Sequence, residues 1–170
     1  NSDQLVYTLE YRREGDSHWR TILDETVEQL GSWDTSEVPD GQYDLRLTAS
    51  DHLDNPGDLA RQSQKEAGPL KVDNTSPMIT DFKVREIPGG LQLVFKAEDE
   101  LSKLGQALLR MPDGQVQRLD PVDRICDSFK EEFSTDLPWP VSGRESGGKP
   151  YSVQVEVWDL SGNVAAAQGE

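Results

Sequence analysis

The sequence contains a single cysteine, Cys126, among its 170 residues. One cysteine cannot form an internal disulfide, so the fold has to be held by a hydrophobic core and hydrogen bonds. Exported domains also exist without disulfides, so the cysteine count leaves the compartment open. No histidine lies near Cys126 in the sequence to activate its thiol, and we expect a buried or half-buried structural residue.

Long apolar runs are absent as well. None approaches the roughly 20 residues that a bilayer-spanning helix needs, so membrane insertion is not expected. The chain shows no signal-peptide pattern. Because Asn1 is not a native start, we expect the chain to be processed or excised from a longer protein.

Catalytic motifs are lacking too. The two histidines, His18 and His52, stand outside any nucleophile, zinc-protease or phosphate-binding motif, and we interpret both as surface turn residues. Neighbouring carboxylates such as Asp99 and Glu100 arise freely in a chain with 32 acidic residues, so they do not by themselves indicate glycosidase chemistry. The sequence therefore predicts a protein that is not an enzyme.

Basic residues are scarce: 17 lysines and arginines face 32 acidic residues, for a net charge of −15. Both halves of the chain share the acidic excess. Such a surface repels phosphate backbones and anionic lipids, so nucleic acid and membrane surfaces are not expected partners. Solubility explains the charge, and cation binding is the sharper alternative.

Alternation of apolar and polar residues is the dominant pattern that is present, and it predicts strands with one inward face. Four segments show it most clearly; they begin at Leu5, Tyr43, Leu91 and Tyr151. Turns rich in Gly, Pro, Asp and Asn separate short strands, which is typical of a β-sandwich or barrel. The stretches 24–30 and 101–104 are predicted to allow a turn of helix each.

The chain also repeats itself. The segment from Tyr43 to Asp51 has the same pattern as the segment from Tyr151 to Asp159, with an aromatic residue, three alternating apolar positions and a terminal Asp. Upstream, 33–39 resembles 133–138. We therefore expect two tandem β-sandwich modules, over residues 1–76 and 77–170. The second has two strands, near 79–86 and 91–98, before its first repeat match, whereas the first module lacks their equivalents.

A family likeness follows from these segments. The stretches Tyr7–Arg12, Trp33–Tyr43, Leu45–Asp51 and Val72–Pro77 resemble a repeat of immunoglobulin-like or fibronectin type III-like modules in large secreted bacterial proteins, where such modules often follow β-propellers. The second copy resembles the terminal module of such arrays through Ile125–Phe133 and Trp158–Val164. The resemblance implies a non-catalytic accessory role in an extracellular, periplasmic or cell-surface protein, and opening strands that precede Asn1.

The same resemblance implies upstream domains of the same protein as partners, with another protein or a glycan as further alternatives. A shared fold does not transfer activity, so the ligand stays open. The leading hypothesis is a structural and protein-interaction module pair. The alternative is an accessory carbohydrate-binding pair attached to an exported enzyme.

A calcium site is one candidate that the residues offer. Oxygen-bearing side chains cluster in sequence near the expected module junction, at Asp51, Asp54, Asn55 and Asp73. Calcium prefers such ligands, although Asp and Asn are also ordinary turn formers whose side chains cap backbone N–H groups. We therefore predict either no cofactor or calcium at these residues.

Aromatic residues are the candidates for carbohydrate binding. Trp139 lies between two prolines, and the strand phase places Trp158 opposite the inward-facing valines of its strand. Each offers a face on which a sugar ring can stack. Alternatively, Trp158 packs under a loop or at an interface, while Trp19 and Trp33 belong to the core.

Overall fold

The computed structural model describes residues 3–111, 113–138 and 152–169. The chain divides into two compact units, Asn1–Asn74 and Thr75–Glu170. The described part contains a short 3-10 turn at Gly57–Leu59 and no α-helix. No helix among these residues is long and apolar enough to cross a membrane. The strands are β1 Val6–Arg13, β2 Arg20–Thr26, β3 Gly41–Ser50, β4 Gln62–Val72, β5 Met78–Ile87, β6 Gly90–Glu98, β7 Leu104–Arg110, β8 Val116–Leu119, β9 Lys130–Pro138, β10 Val153–Asp159 and β11 Val164–Gly169.

The first unit contains one antiparallel sheet in the order β2-β1-β3-β4. Strands β1 and β3 pair without a register shift, so Leu9 lies opposite Leu47 and Glu10 opposite Arg46. Since side chains alternate along a strand, one face of the sheet is apolar and the other is charged.

The second unit contains two antiparallel sheets, a four-stranded one in the order β11-β10-β7-β8 and a three-stranded one in the order β5-β6-β9. One hydrophobic core contains residues of both sheets, as in a β-sandwich. Within it, the rings of Phe95 and Phe133 stack at 4.5 Å between centroids. The buried core residues are Leu91, Leu93, Phe95, Ala97, Leu104, Ala107, Leu109, Leu119, Phe133, Leu137, Val153, Val155 and Val157.

The expected all-β class is confirmed: the described chain is built of strands in three antiparallel sheets. Both expected helical turns are wrong. Residues 24–26 complete β2, and residues 101–103 form a bent loop before β7. In that loop the backbone N–H groups of Leu101 and Ser102 donate to the Asp99 side chain, which holds the chain in a turn without starting a helix.

The repeat is visible in the strand order. Read from one edge, β2-β1-β3-β4 in the first unit has the same sequence order as β8-β7-β10-β11 in the second. The first unit has no described counterpart of the three-stranded sheet. Segment 133–138 belongs to β9, whereas its sequence match 33–39 is irregular.

Candidate functional site

The most distinctive surface of the first unit is the apolar face of its sheet. We call it the open face and define it by Tyr7, Leu9, Leu23, Leu45 and Leu47. Strand pairing sets Leu9 beside both Leu23 and Leu47. All five side chains are at least partly exposed, and Leu47 is 42% exposed.

A depression of about 490 Å³ lies on this face. Tyr7, Leu9, Leu23 and Leu47 supply its apolar lining, and the loop after β2 supplies Glu28 and Gly31 to the rim. A concave apolar surface with few polar groups suits an apolar occupant better than a charged one.

The second unit shows what covers the equivalent positions there. Leu47 corresponds in the repeat to Val155. Leu9 pairs with Leu47 on the neighbouring strand, just as Leu109 pairs with Val155, so Leu9 corresponds to Leu109. Val155 and Leu109 are 0% exposed, since the core formed with the three-stranded sheet encloses them. Among the described residues of the first unit, no second sheet covers the open face.

One end of the apolar face is closed by aromatic rings. Trp33 packs on Tyr11 with 4.6 Å between ring centroids and on Tyr43 edge to face at 5.7 Å. The hydroxyl of the buried Tyr43 donates to the carbonyl of Pro39 at 2.5 Å. The irregular segment 33–39 thus protects Tyr43 and leaves the positions around Leu47 open.

The opposite face of the same sheet is charged, and two of its arginines form ion pairs. Arg46 pairs with Glu10 at 2.8 Å and Arg12 with Asp44 at 2.9 Å. The guanidinium carbons of both arginines lie 4.4 Å from the ring centroid of Trp19. Because its ring carries these cations, Trp19 contributes to the charged face.

Of the two tryptophans predicted for carbohydrate binding, the structure describes Trp158. Trp139 lies outside the described residues. Trp158 is half-buried on β10, opposite in strand phase to the fully buried Val153, Val155 and Val157, and its indole nitrogen is buried without a hydrogen-bond partner. Its strand neighbours are Gln106 and Val164. Carbohydrate binding stays a prediction.

The predicted calcium residues of the first unit hold the loop after β3 together. Asp51, 9% exposed, accepts the Arg61 N–H at 2.6 Å through Oδ1. Asp54 accepts the Gln4 N–H at 2.6 Å, and the amide of Asn55 donates to Asp3. These hydrogen bonds are those of turn formers, and calcium at these residues stays a prediction.

Asp73, the fourth predicted calcium residue, follows β4 directly and is 7% exposed.

The two histidines lie at the surface of the first unit. His52 approaches Glu25 at 3.5 Å, and His18 hydrogen-bonds to Ser17. In the second unit Glu131 is buried, and its side chain accepts the N–H groups of Asp127 and Ser128 at 3.0 Å each.

Cys126 is half-buried against the core of the second unit. Burial raises the pKa of its thiol to about 11, and the negative charge of Glu131 acts in the same direction. Since the thiolate is the reactive form, the thiol at neutral pH is a weak nucleophile and a poor metal ligand.

No protein-family model and no curated protein sequence matches the chain.

Proposed function

We propose that the chain is a non-catalytic pair of structural and protein-interaction modules within a larger secreted or cell-envelope protein. The open face of the first unit is the observation that carries this proposal. An apolar sheet face of this kind loses free energy when it is covered, at roughly 25 cal/mol per Å² of apolar surface removed from water.

Both modules are proposed to be of the immunoglobulin or fibronectin type III kind. The three-plus-four division of strands in the second unit supports this assignment. So does Tyr43 in the first unit, which stands near the start of β3 and donates its hydroxyl to the backbone four residues upstream. This hydrogen bond resembles the tyrosine corner found in such sandwiches. The corresponding Tyr151 lies outside the described residues.

The proposed occupant of the open face is a pair of further antiparallel β-strands of polypeptide, as part of the same larger protein. The second unit supports this choice, because there β5 and β6 pair with β9 to make the sheet that shares the core. Strand β6 contributes alternate apolar side chains, including the fully buried Leu93 and Phe95. A strand pair with the same alternation matches the exposed leucines of the first unit.

Fluorescence of a hydrophobic dye such as ANS tests the open face. The purified chain is expected to enhance the fluorescence, and Leu47→Glu to lower it, since the charge interrupts the apolar surface. Val116→Glu is the matched control, because Val116 is 49% exposed but lies on β8 of the second unit. Far-UV circular dichroism verifies that both variants keep their strands.

The occupant is tested by expressing the chain together with the polypeptide that flanks it in its gene. The extended protein is expected to lose dye binding and to protect the amides of β1 and β3 from hydrogen exchange. Dye binding that persists in the extended protein contradicts the strand-pair proposal. Saturable binding in a glycan panel that Trp158→Ala abolishes supports the carbohydrate alternative instead.

A further inference from the structure

Two buried carboxylates stand together at one end of the second unit. Asp99 directly follows β6, and Asp159 is the last residue of β10. They are 6% and 5% exposed, and a carboxylate oxygen of each lies within 4.8 Å of the other. Charged side chains this deeply buried are costly unless a partner of opposite charge or a proton compensates them.

Backbone groups fix both side chains in place. Asp99 Oδ1 accepts the N–H groups of Leu101 and Ser102 at 2.8 and 2.6 Å. Asp159 accepts the backbone N–H of Asn163 through Oδ1 and its side-chain amide through Oδ2, both at 2.8 Å. The positions of the two carboxylates are thus determined by their own loops.

The two loops are also joined to each other. The hydroxyl groups of Ser102 and Ser161 lie 2.6 Å apart, and the N–H of Leu160 donates to the carbonyl of Lys103 at 2.9 Å. The N–H of Asp99 donates to the carbonyl of Phe129. The carboxylates therefore keep their separation without any added ligand, which makes the site preorganised.

One atom in this arrangement is left without a partner. Asp99 Oδ2 is buried and makes no hydrogen bond. Within the described chain, no lysine, arginine or histidine forms an ion pair with Asp99 or Asp159. The site holds a free buried oxygen beside a second carboxylate, and neither has a cationic side chain to balance it.

We infer that Asp99 and Asp159 bind a divalent cation, calcium, at this end of the second unit. Calcium takes carboxylate oxygens at roughly 2.3–2.6 Å, so two ligands on opposite sides of the ion stand about 4.6–5.2 Å apart, which the observed spacing accommodates. The ion gives Asp99 Oδ2 the partner that it lacks. Asp159 ligates through lone pairs that its hydrogen bonds to Asn163 leave available.

Solvent-accessible space borders Asp99. A depression of about 240 Å³ includes Asp99 in its lining, together with Ser76, Glu98 and Glu100. Calcium binds with six to eight oxygen ligands and accepts water among them. Waters in this depression complete the coordination, and the exposed Glu100 adds negative charge beside it.

The first unit shows why this site is specific to the second. Asp51 is the repeat counterpart of Asp159. The N–H of Asp51 donates to the carbonyl of Arg61, and the Asp51 side chain accepts the Arg61 N–H; Asp159 makes the same two hydrogen bonds with Asn163. Asp99 has no counterpart among the described residues of the first unit, because it follows β6 and no strand described there corresponds to β6. The inferred ligands Asp99 and Asp159 are not among the residues that the sequence predicts for calcium.

Calorimetric titration of calcium into the chelator-treated chain tests the inference. A saturable heat with a dissociation constant on the order of 10⁻⁴–10⁻³ M is expected. At tenfold excess over that constant, the second unit should melt on the order of 5 °C higher than in chelator. Asp99→Asn should abolish both effects, since the amide oxygen still accepts from Leu101 and Ser102 but the charge is gone.

Asp113→Asn is the matched control, because Asp113 accepts the Gln115 N–H at 2.9 Å in an exposed turn of the same unit. It should bind calcium as the unchanged chain does. Calcium binding that survives in Asp99→Asn, or that Asp51→Asn abolishes while Asp99→Asn retains it, overturns the inference.

The melting comparison of the unchanged chain decides the matter even if Asp99→Asn does not fold. No rise in melting temperature with calcium overturns the site. If Asp99→Asn is instead more stable than the unchanged chain and calcium has no effect on either, the carboxylates share a proton, which also overturns it.

Discussion

The two units contain the same four-stranded sheet under different conditions of burial. In the second, the inner side chains of β7 and β10 are fully buried against a three-stranded sheet. In the first, the corresponding side chains of β1 and β3 are partly exposed. The comparison shows that hydrogen bonding and alternation define a sheet, whereas a second apolar layer makes it a core.

Matched leucine truncations sharpen this comparison with the largest expected effect. Leu109→Ala should lower the free energy of unfolding by about 2–5 kcal/mol, because it leaves a cavity in a closed core. Leu9→Ala, at the equivalent position of the first unit, should cost about 1 kcal/mol, because partly exposed methyl groups lose less on removal. Urea denaturation measures both, and equal losses would contradict the difference in burial.

Removal of the Tyr43 hydroxyl tests the closed end of the first unit. Tyr43→Phe deletes the hydrogen bond to the Pro39 carbonyl and keeps the ring contacts with Tyr11 and Trp33. The expected loss is about 1 kcal/mol, seen as a lower midpoint of the first unit's unfolding in urea. An unchanged midpoint would show that segment 33–39 is held by the rings alone.

A double-mutant cycle compares the outer faces of the two sheets. Glu10 and Arg46 form a half-buried ion pair in the first unit, with an expected coupling of about 0.5–1 kcal/mol. Arg110 and Glu156 form an ion pair on the corresponding face of the second unit's sheet, where the Arg110 side chain is 46% exposed, and the coupling there should be smaller. Added salt should weaken the exposed pair more. Equal coupling and equal salt dependence would remove this distinction.

Alkylation of Cys126 gives the smallest effect on stability and a clear effect on rate. Because burial raises the thiol pKa to about 11, iodoacetamide should react more slowly with the native chain than with the chain in urea. The stabilisation from burying the neutral thiol is complete below pH 9.0 and is lost as the pH rises towards about 11. Equal native and denatured rates at pH 8 to 9 would place the thiol in solvent.

Much of the strand arrangement could be predicted from alternation. The runs that begin at Leu5, Tyr43 and Leu91 correspond to β1, β3 and β6, because each buries one face. Strand β4 shows no such signal: residues 62–71 are exposed throughout and form a strand only by pairing with β3. The match between 33–39 and 133–138 also misleads, since β9 pairs with β6 and no strand described in the first unit corresponds to β6.

The candidate sites were less accessible to sequence reasoning. An uncovered apolar face is expected from the repeat comparison, which predicts that the first module lacks two strands, but the depression on that face depends on the loop around Gly31. Asp99 is one of 32 acidic residues, and nothing in its sequence distance to Asp159 indicates their proximity. The available signal was an Asp at the end of a strand with a Ser three residues later, the pattern of a side-chain-capped turn.

The contrast between an open and a covered sheet is tested most directly by native-state hydrogen exchange resolved by residue. The amides of β7 and β10 should exchange only with global unfolding of the second unit, while those of β1 and β3 should exchange through openings of much lower free energy. Equal protection of the two sheets in the isolated chain would contradict the account, because it would mean that the first sheet is as well covered as the second.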